Sequence, residues 1–234
     1  CDISLRAEVQ PQAMVALTFT GGCLPYEKIL LRHSGLKFSL KTDAEGITKF
    51  IVPALAKKAI FIVTYDNGDG ALTMVDVPDM ARYQRVVLQW QGAKGLQLHA
   101  YQDGAKYGGQ GHIWFENSAF DANNSDAGIE FFILLGDAEL PDGFHAEVAS
   151  FLVQQAGDAP AVSLNIEAEI TADNCGRNVA VEIFLRKRDT GSDSKLGGVL
   201  DSRGLTLFVP ECHMAGNFIV MKNVIENLSL SLRK

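Results

Sequence analysis

A chain of 234 residues with 47% hydrophobic and 21% charged residues can build one large domain or two of about 100 residues each, and is too apolar to stay disordered. Its formal charge of −7 is spread along the chain, and the longest basic block is Arg186-Lys187-Arg188, so nucleic acid is excluded as a partner on electrostatic grounds. The longest apolar runs, such as Ala59 to Val63 and Phe131 to Leu135, are far short of the roughly 20 residues a membrane helix needs, so no transmembrane segment is expected.

The chain begins at Cys1 with no initiator methionine and no leader. That is the pattern of an exported protein after its signal peptide is removed, and it predicts a periplasmic or extracellular location. From Ile3 to Val9 apolar and polar residues alternate with the period of a half-buried strand, and Val15, Leu17 and Phe19 repeat the pattern after Pro11. Further strands are expected at 28–32, 36–41, 47–52, 60–65, 71–77 and 85–90. Their separators are short and rich in turn formers, among them Gly21-Gly22, Ser34-Gly35 and Asp66-Asn67-Gly68-Asp69-Gly70. After Trp90 the composition becomes richer in glycine and aromatics, and a domain boundary is expected at Gly92 to Gly95. The second part continues as strands at 129–135, 147–153, 162–170, 179–186, 205–209, 218–221 and 228–232, with a helix expected around 221–227. The prediction is an all-β protein of two tandem β-sandwich domains, residues 1–92 and 93–234.

The cysteines are Cys1, Cys23, Cys175 and Cys212. No CxxC pattern is present, which argues against a zinc knuckle or a thioredoxin-type redox site. In an oxidising compartment the local pairing, Cys1 to Cys23 and Cys175 to Cys212, matches two domains, and each loop would contribute roughly 3–4 kcal/mol. A lipid anchor on Cys1 is the competing use. The disulfide reading is the stronger one, because lipidation would leave Cys23 as an odd thiol.

In LKFSLKTDAEGITKFIVPAL a polar turn joins two amphipathic strands, with Gly46 suited to a left-handed position. Thr42, Asp43, Gly46 and Pro53 resemble the signature of transthyretin-like or carboxypeptidase-regulatory-like sandwiches. That resemblance implies an immunoglobulin-like accessory domain without a catalytic site of its own. Over most of its length the chain also resembles a group of exported alphaproteobacterial proteins labelled "translocase", through PQAMVALTF, TDAEG, VPALA, RVVLQWQG, LQLHAYQDGAKYGGQGHIW, AEITADNCG and GNFIVMKN. This likeness implies export and paired cysteines. The activity in the label needs a membrane path or a nucleotide site, and the sequence carries the pattern of neither.

No nucleophile elbow, zinc-protease motif, phosphate loop or dinucleotide fingerprint occurs, so no catalytic residue and no cofactor is expected. His99 and His112 share a glycine-rich segment and could meet across a hairpin with Asp103, as metal ligands need, but ordinary hydrogen-bonded histidines explain them better. Asp121, Asn123 and Ser125 have the spacing of a calcium loop. Asp126 stands where that loop needs glycine and Phe132 where it needs glutamate, so a solvated loop is expected and no metal is assigned.

The most informative stretch is Leu98 to Phe115. There Tyr101, Tyr107 and Trp114 offer flat faces beside Asp103 and Gln110, the ingredients of a sugar site or a protein hot spot. Core packing of the same rings is the simpler alternative. The function expected is a non-catalytic structural or binding component of the bacterial cell envelope or surface, a subunit of an assembly or filament that pairs through edge strands such as 3–9 and 228–232. The alternatives are a carbohydrate-binding module using the Tyr/Trp cluster and a glycosidase-like enzyme without a recognisable motif.

Overall fold

The fold, known from a computed structural model, is described for residues 2–65, 68–92, 95–118, 120–121, 130–153, 161–186, 200–222 and 228–230. These residues form an all-β protein with four antiparallel sheets. The first seven strands are β1 (Ile3–Gln10), β2 (Met14–Gly21), β3 (Lys28–His33), β4 (Leu36–Lys41), β5 (Ile47–Pro53), β6 (Lys58–Thr64) and β7 (Gly70–Asp76). They make sheet I, ordered β1-β2-β5, and sheet II, ordered β4-β3-β6-β7. Leu17 and Phe19 from sheet I meet Ile29, Leu31, Phe38, Phe61 and Val63 from sheet II in one fully buried core. Alternation turns these residues inward as expected, and each large apolar side chain removed from water contributes about 1.5–3 kcal/mol.

The turn from β4 to β5 closes as its sequence predicts. Asp43 Oδ1 accepts hydrogen bonds from the N–H groups of Glu45 and Ile47, at 3.0 and 2.7 Å. Gly46 has φ +74°, and a Cβ there would meet the Gly21 carbonyl oxygen at 2.0 Å. Glycine is required both by the left-handed backbone and by that contact.

The second group of strands is β8 (Tyr83–Gln91), β9 (Leu96–Gln102), β10 (His112–Trp114), β11 (Glu130–Leu135), β12 (Phe144–Leu152), β13 (Ala161–Glu169), β14 (Asn178–Arg186), β15 (Leu200–Phe208), β16 (Phe218–Met221) and β17 (Leu228–Ser229). A single helical turn, α1 (Phe115–Ser118), follows β10. Sheet III is ordered β11-β12-β8-β14-β15; sheet IV is ordered β10-β9-β13-β16, with β17 also pairing β13. Thus β8, read from the sequence as the last strand of the first domain, pairs with β12 and β14 in the middle of sheet III. Gly92 follows β8 of sheet III and Gly95 precedes β9 of sheet IV, both with positive φ. Residues 223–227 of the expected helix lie outside the described residues, and Met221 ends β16. Of the two edge strands expected to pair with a partner, β1 is an edge of sheet I, whereas β17 is already bonded to β13.

Sheet III is covered on both faces. Val86, Leu88 and Trp90 point to sheet IV, where Leu98, Leu164 and Ile166 complete one core. Val87, Ala146, Val148 and Phe184 point the other way and join the core of sheets I and II. Strands β8 and β12 are consequently buried at nearly every residue, which polar-apolar alternation alone does not predict.

Arg85 ties the two halves together. It is fully buried, and its guanidinium donates to the carbonyls of Gln12 at 2.7 Å and Ala13 at 3.0 Å, and to that of Ala54. Its Nε donates to Ser150 Oγ at 3.1 Å. Gln12 and Ala13 hold left-handed φ angles of 61° and 55°, a strained arrangement for residues with a side chain that turns both carbonyls toward one fork.

Cys175 and Cys212 form a disulfide with a Cα–Cα distance of 4.9 Å, fastening the turn after β13 to the turn after β15. Cys23 is disulfide-bonded as well; its expected partner, Cys1, lies outside the described residues. Among the described residues no helix is long and apolar enough to cross a membrane.

Candidate binding surfaces

Two surfaces stand out, one foreseen in the sequence and one not. The foreseen one is the outer face of sheet IV. Register places Tyr101 opposite His112 and His99 opposite Trp114, with Asn165 beside His99 on β13. Because side chains alternate along strands, these residues share one face while Leu98, Ala100, Leu164 and Ile166 fill the other. His112 is the centre of the cluster. Its ring stacks on Tyr101 at 4.6 Å, on Trp114 at 4.3 Å and on His99 at 5.1 Å, and Tyr107 tilts over it at 4.8 Å.

The polar atoms are engaged from within. His99 Nδ1 and His112 Nε2 lie 2.8 Å apart, and the Gly108 N–H donates to His112 Nδ1 at 2.9 Å. With Nδ1 accepting, the neutral His112 carries its proton on Nε2 and donates to His99. His99 Nε2 has no hydrogen-bond partner among the described residues and faces Glu167 Oε2 at 3.6 Å. Burial raises the Glu167 carboxyl, and burial together with the Glu167 charge raises the Tyr101 phenol.

The predicted site residues therefore divide. Tyr101, Tyr107 and Trp114 come together, but Tyr101 is buried and its face is taken by His112. Tyr107 is 68% exposed, and Trp114 is half-buried. Asp103 does not join His99 and His112, since its Oδ1 accepts from the Ala161 N–H at 3.0 Å and anchors the loop. Gln110 is exposed in the turn ahead of β10. Among the described residues no group of three or more His, Cys, Asp or Glu could hold a metal ion, and residues 122–129 of the calcium-like loop lie outside them. His33 is structural: its ring is buried between the Ile60 carbonyl at 2.8 Å and the Leu55 N–H at 2.7 Å.

Two buried groups tie stability to pH. Burial, and then the charge of His112, pulls His99 down to about 4. Glu147 on β12 is fully buried; burial pushes it up to about 8, while the Leu98 N–H it accepts acts in the opposite direction. Between pH 6.5 and 4 the unfolded chain binds a proton at His99 that the folded chain refuses, so stability falls as pH drops through that range. Between pH 4.5 and 8 the folded chain keeps a proton on Glu147 that the unfolded chain releases, so stability falls as pH rises there and the loss is complete above 8. The unfolding free energy of Glu147→Gln is expected to change much less from about pH 6.5 to 9 than that of the wild type, which declines by a few kcal/mol. Parallel curves for the two proteins would refute the assignment.

The second surface was not anticipated. Ile60 and Ile62 on β6 lie opposite Met74 and Leu72 on β7. All four point outward, with exposures of 44, 40, 63 and 70% respectively. The inward set, Ala59, Phe61 and Val63, is fully buried, so the strand is apolar on both faces. The continuous run AIFIV held this signal, because an outer strand with a wet face needs polar residues at every second position. Beside this face is a groove of about 670 Å³ whose lining includes Arg32, Lys37, Lys58, Ile60, Ile62 and Met74. Comparison of the sequence with protein-family models and with curated proteins finds no match.

Proposed function

We propose that the chain is a non-catalytic binding subunit of an exported, envelope-associated assembly, docked to its partner through the outer face of β6 and β7. The supporting observation is the contiguous block of Ile60, Ile62, Leu72 and Met74, exposed beside a groove. Scattered apolar residues are ordinary on a surface, but a contiguous patch with a charged rim is the mark of a protein–protein site. The Cys175–Cys212 disulfide agrees with an oxidising compartment.

The test is the size of the native complex. Light scattering on protein extracted from its own envelope should give a mass above that of one chain, and Leu72→Lys with Met74→Lys should return it to the monomer. A wild type that is strictly monomeric at high concentration would sink the reading.

A second reading, carbohydrate binding, rests on Tyr107 and Trp114, because Tyr101 has no free face. Tyr107 stacks parallel to His99 at 5.9 Å and leaves its other side open to solvent. A tryptophan fluorescence titration with envelope polysaccharides that leaves the emission unchanged removes it.

A further inference from the structure

The groove beside the β6–β7 face has a charge opposite to that of the whole chain. Its lining contains Arg32, Lys37 and Lys58 and no carboxylate, in a protein of net charge −7. Lys37 is engaged by Glu182 at 4.0 Å and lies over the Phe144 ring at 4.6 Å. Arg32 donates to Thr64 Oγ1 at 3.1 Å. Among the described residues neither Arg32 nor Lys58 forms an ion pair, and Asp76, the register partner of Lys58, does not pair with it. Arg32 is the register partner of Ile62 on β3, and Lys58 precedes Ile60 on the same face of β6. The two cations therefore border the apolar block along β3 and at the start of β6.

We infer that this surface receives an extended protein segment with alternating large apolar side chains and carboxylates at its ends. The inference rests on the docking reading above and names the partner's chemistry. Apolar side chains two residues apart on an extended segment repeat at roughly 6.6 Å, the spacing of Ile60 and Ile62 along β6. The carboxylates then meet Arg32 and Lys58, which sets orientation and selects against basic partners.

Three fluorescein-labelled peptides with one core of alternating leucine and serine, flanked by glutamates, by lysines or by serines, test it by fluorescence anisotropy on the purified chain. The glutamate-flanked peptide is expected to bind at least about tenfold more tightly than the lysine-flanked one, with the gap closing as salt rises. Arg32→Glu with Lys58→Glu should reverse that order. Met74→Lys should weaken the glutamate-flanked peptide about tenfold with an unchanged circular dichroism spectrum, since the side chain is exposed. Equal affinity for all three peptides, no binding of any, or an order that the double charge change leaves intact would overturn the inference. If that happens while the native complex still depends on Leu72 and Met74, the docking reading stands and only the partner's assigned chemistry is wrong. If the complex also survives those substitutions, both fall.

Discussion

Replacing Arg85 by methionine is expected to lower the unfolding free energy by about 3–5 kcal/mol, the largest loss from any single substitution considered for this chain. Methionine keeps much of the volume but offers no donor. The carbonyls of Gln12, Ala13 and Ala54 and the hydroxyl of Ser150 would each lose a donor, although the Ala13 carbonyl keeps the Ala54 N–H at 3.0 Å. A buried acceptor left without a donor costs about 1–3 kcal/mol, partly recovered by relaxation. The guanidinium also lies over the rings of Tyr83 at 5.2 Å and Phe131 at 5.9 Å, contacts that a thioether replaces only in part. Arg85→Lys should fall in between, because one ammonium cannot reach three carbonyls arranged for a planar fork.

The form of the transition is as informative as its midpoint. Arg85 stands on β8 in sheet III, and all three carbonyls belong to the first sandwich. Losing it should uncouple the halves and broaden or split the single urea transition. A variant that unfolds within about 1 kcal/mol of the wild type, in one equally sharp step, would show that the bonds to Arg85 do not hold the halves together.

Removing the Cys175–Cys212 bridge is the second large effect. With a sequence separation of 37 residues, the chain-entropy account gives a loss of about 4 kcal/mol. Both cysteines should be changed to serine together, so that no odd thiol remains to exchange with Cys23. The bridge joins two turns that follow β13 and β15, and β14 and β15 pair along their whole length between them. Loosening those turns should therefore expose the end of the core near Val179, Leu207 and Val209 and leave the first sandwich intact. Hydrogen exchange should rise in β14 to β16 and stay level in β2 and β3. Adding reductant should lower the midpoint of the wild type by more than that of the double variant, which keeps only the Cys23 bridge to reduce. A midpoint indifferent to both reductant and substitution would mean that the bridge adds nothing to stability.

Much of the β-architecture was legible in the sequence for a local reason. Whether a segment forms a strand depends on side-chain alternation and on nearby turn formers, and both are written in short stretches. Leu17 and Phe19 fall inward for that reason, and Gly46 closes its turn because a left-handed residue is needed within three positions of Asp43. What the sequence did not disclose is which sheets pack together. Strand β8 reads like its neighbours, and only its pairing with β12 and β14 assigns it to the second half. The glycines at 92 and 95 both have positive φ, and a local signal of that kind cannot distinguish a crossing inside one sandwich from a link between two.

The candidate surfaces divide along the same line. The strand register that brings Tyr101 to His112 and His99 to Trp114 follows from a hairpin spanning 101–112, so the gathering of aromatics was foreseeable. That Asp103 would be drawn off to the Ala161 N–H depended on β13, some 60 residues away in sequence. The Ile60, Ile62, Leu72 and Met74 face carries the same lesson. An apolar strand on its own implies burial on both sides, whereas tertiary packing covers only one side of β6 and β7 and leaves the other in water. Composition and alternation thus determined that this chain would build stacked antiparallel sheets. Tertiary structure alone decided which apolar faces remain open, because burial is a property of what lies across the gap and not of the residues that face it.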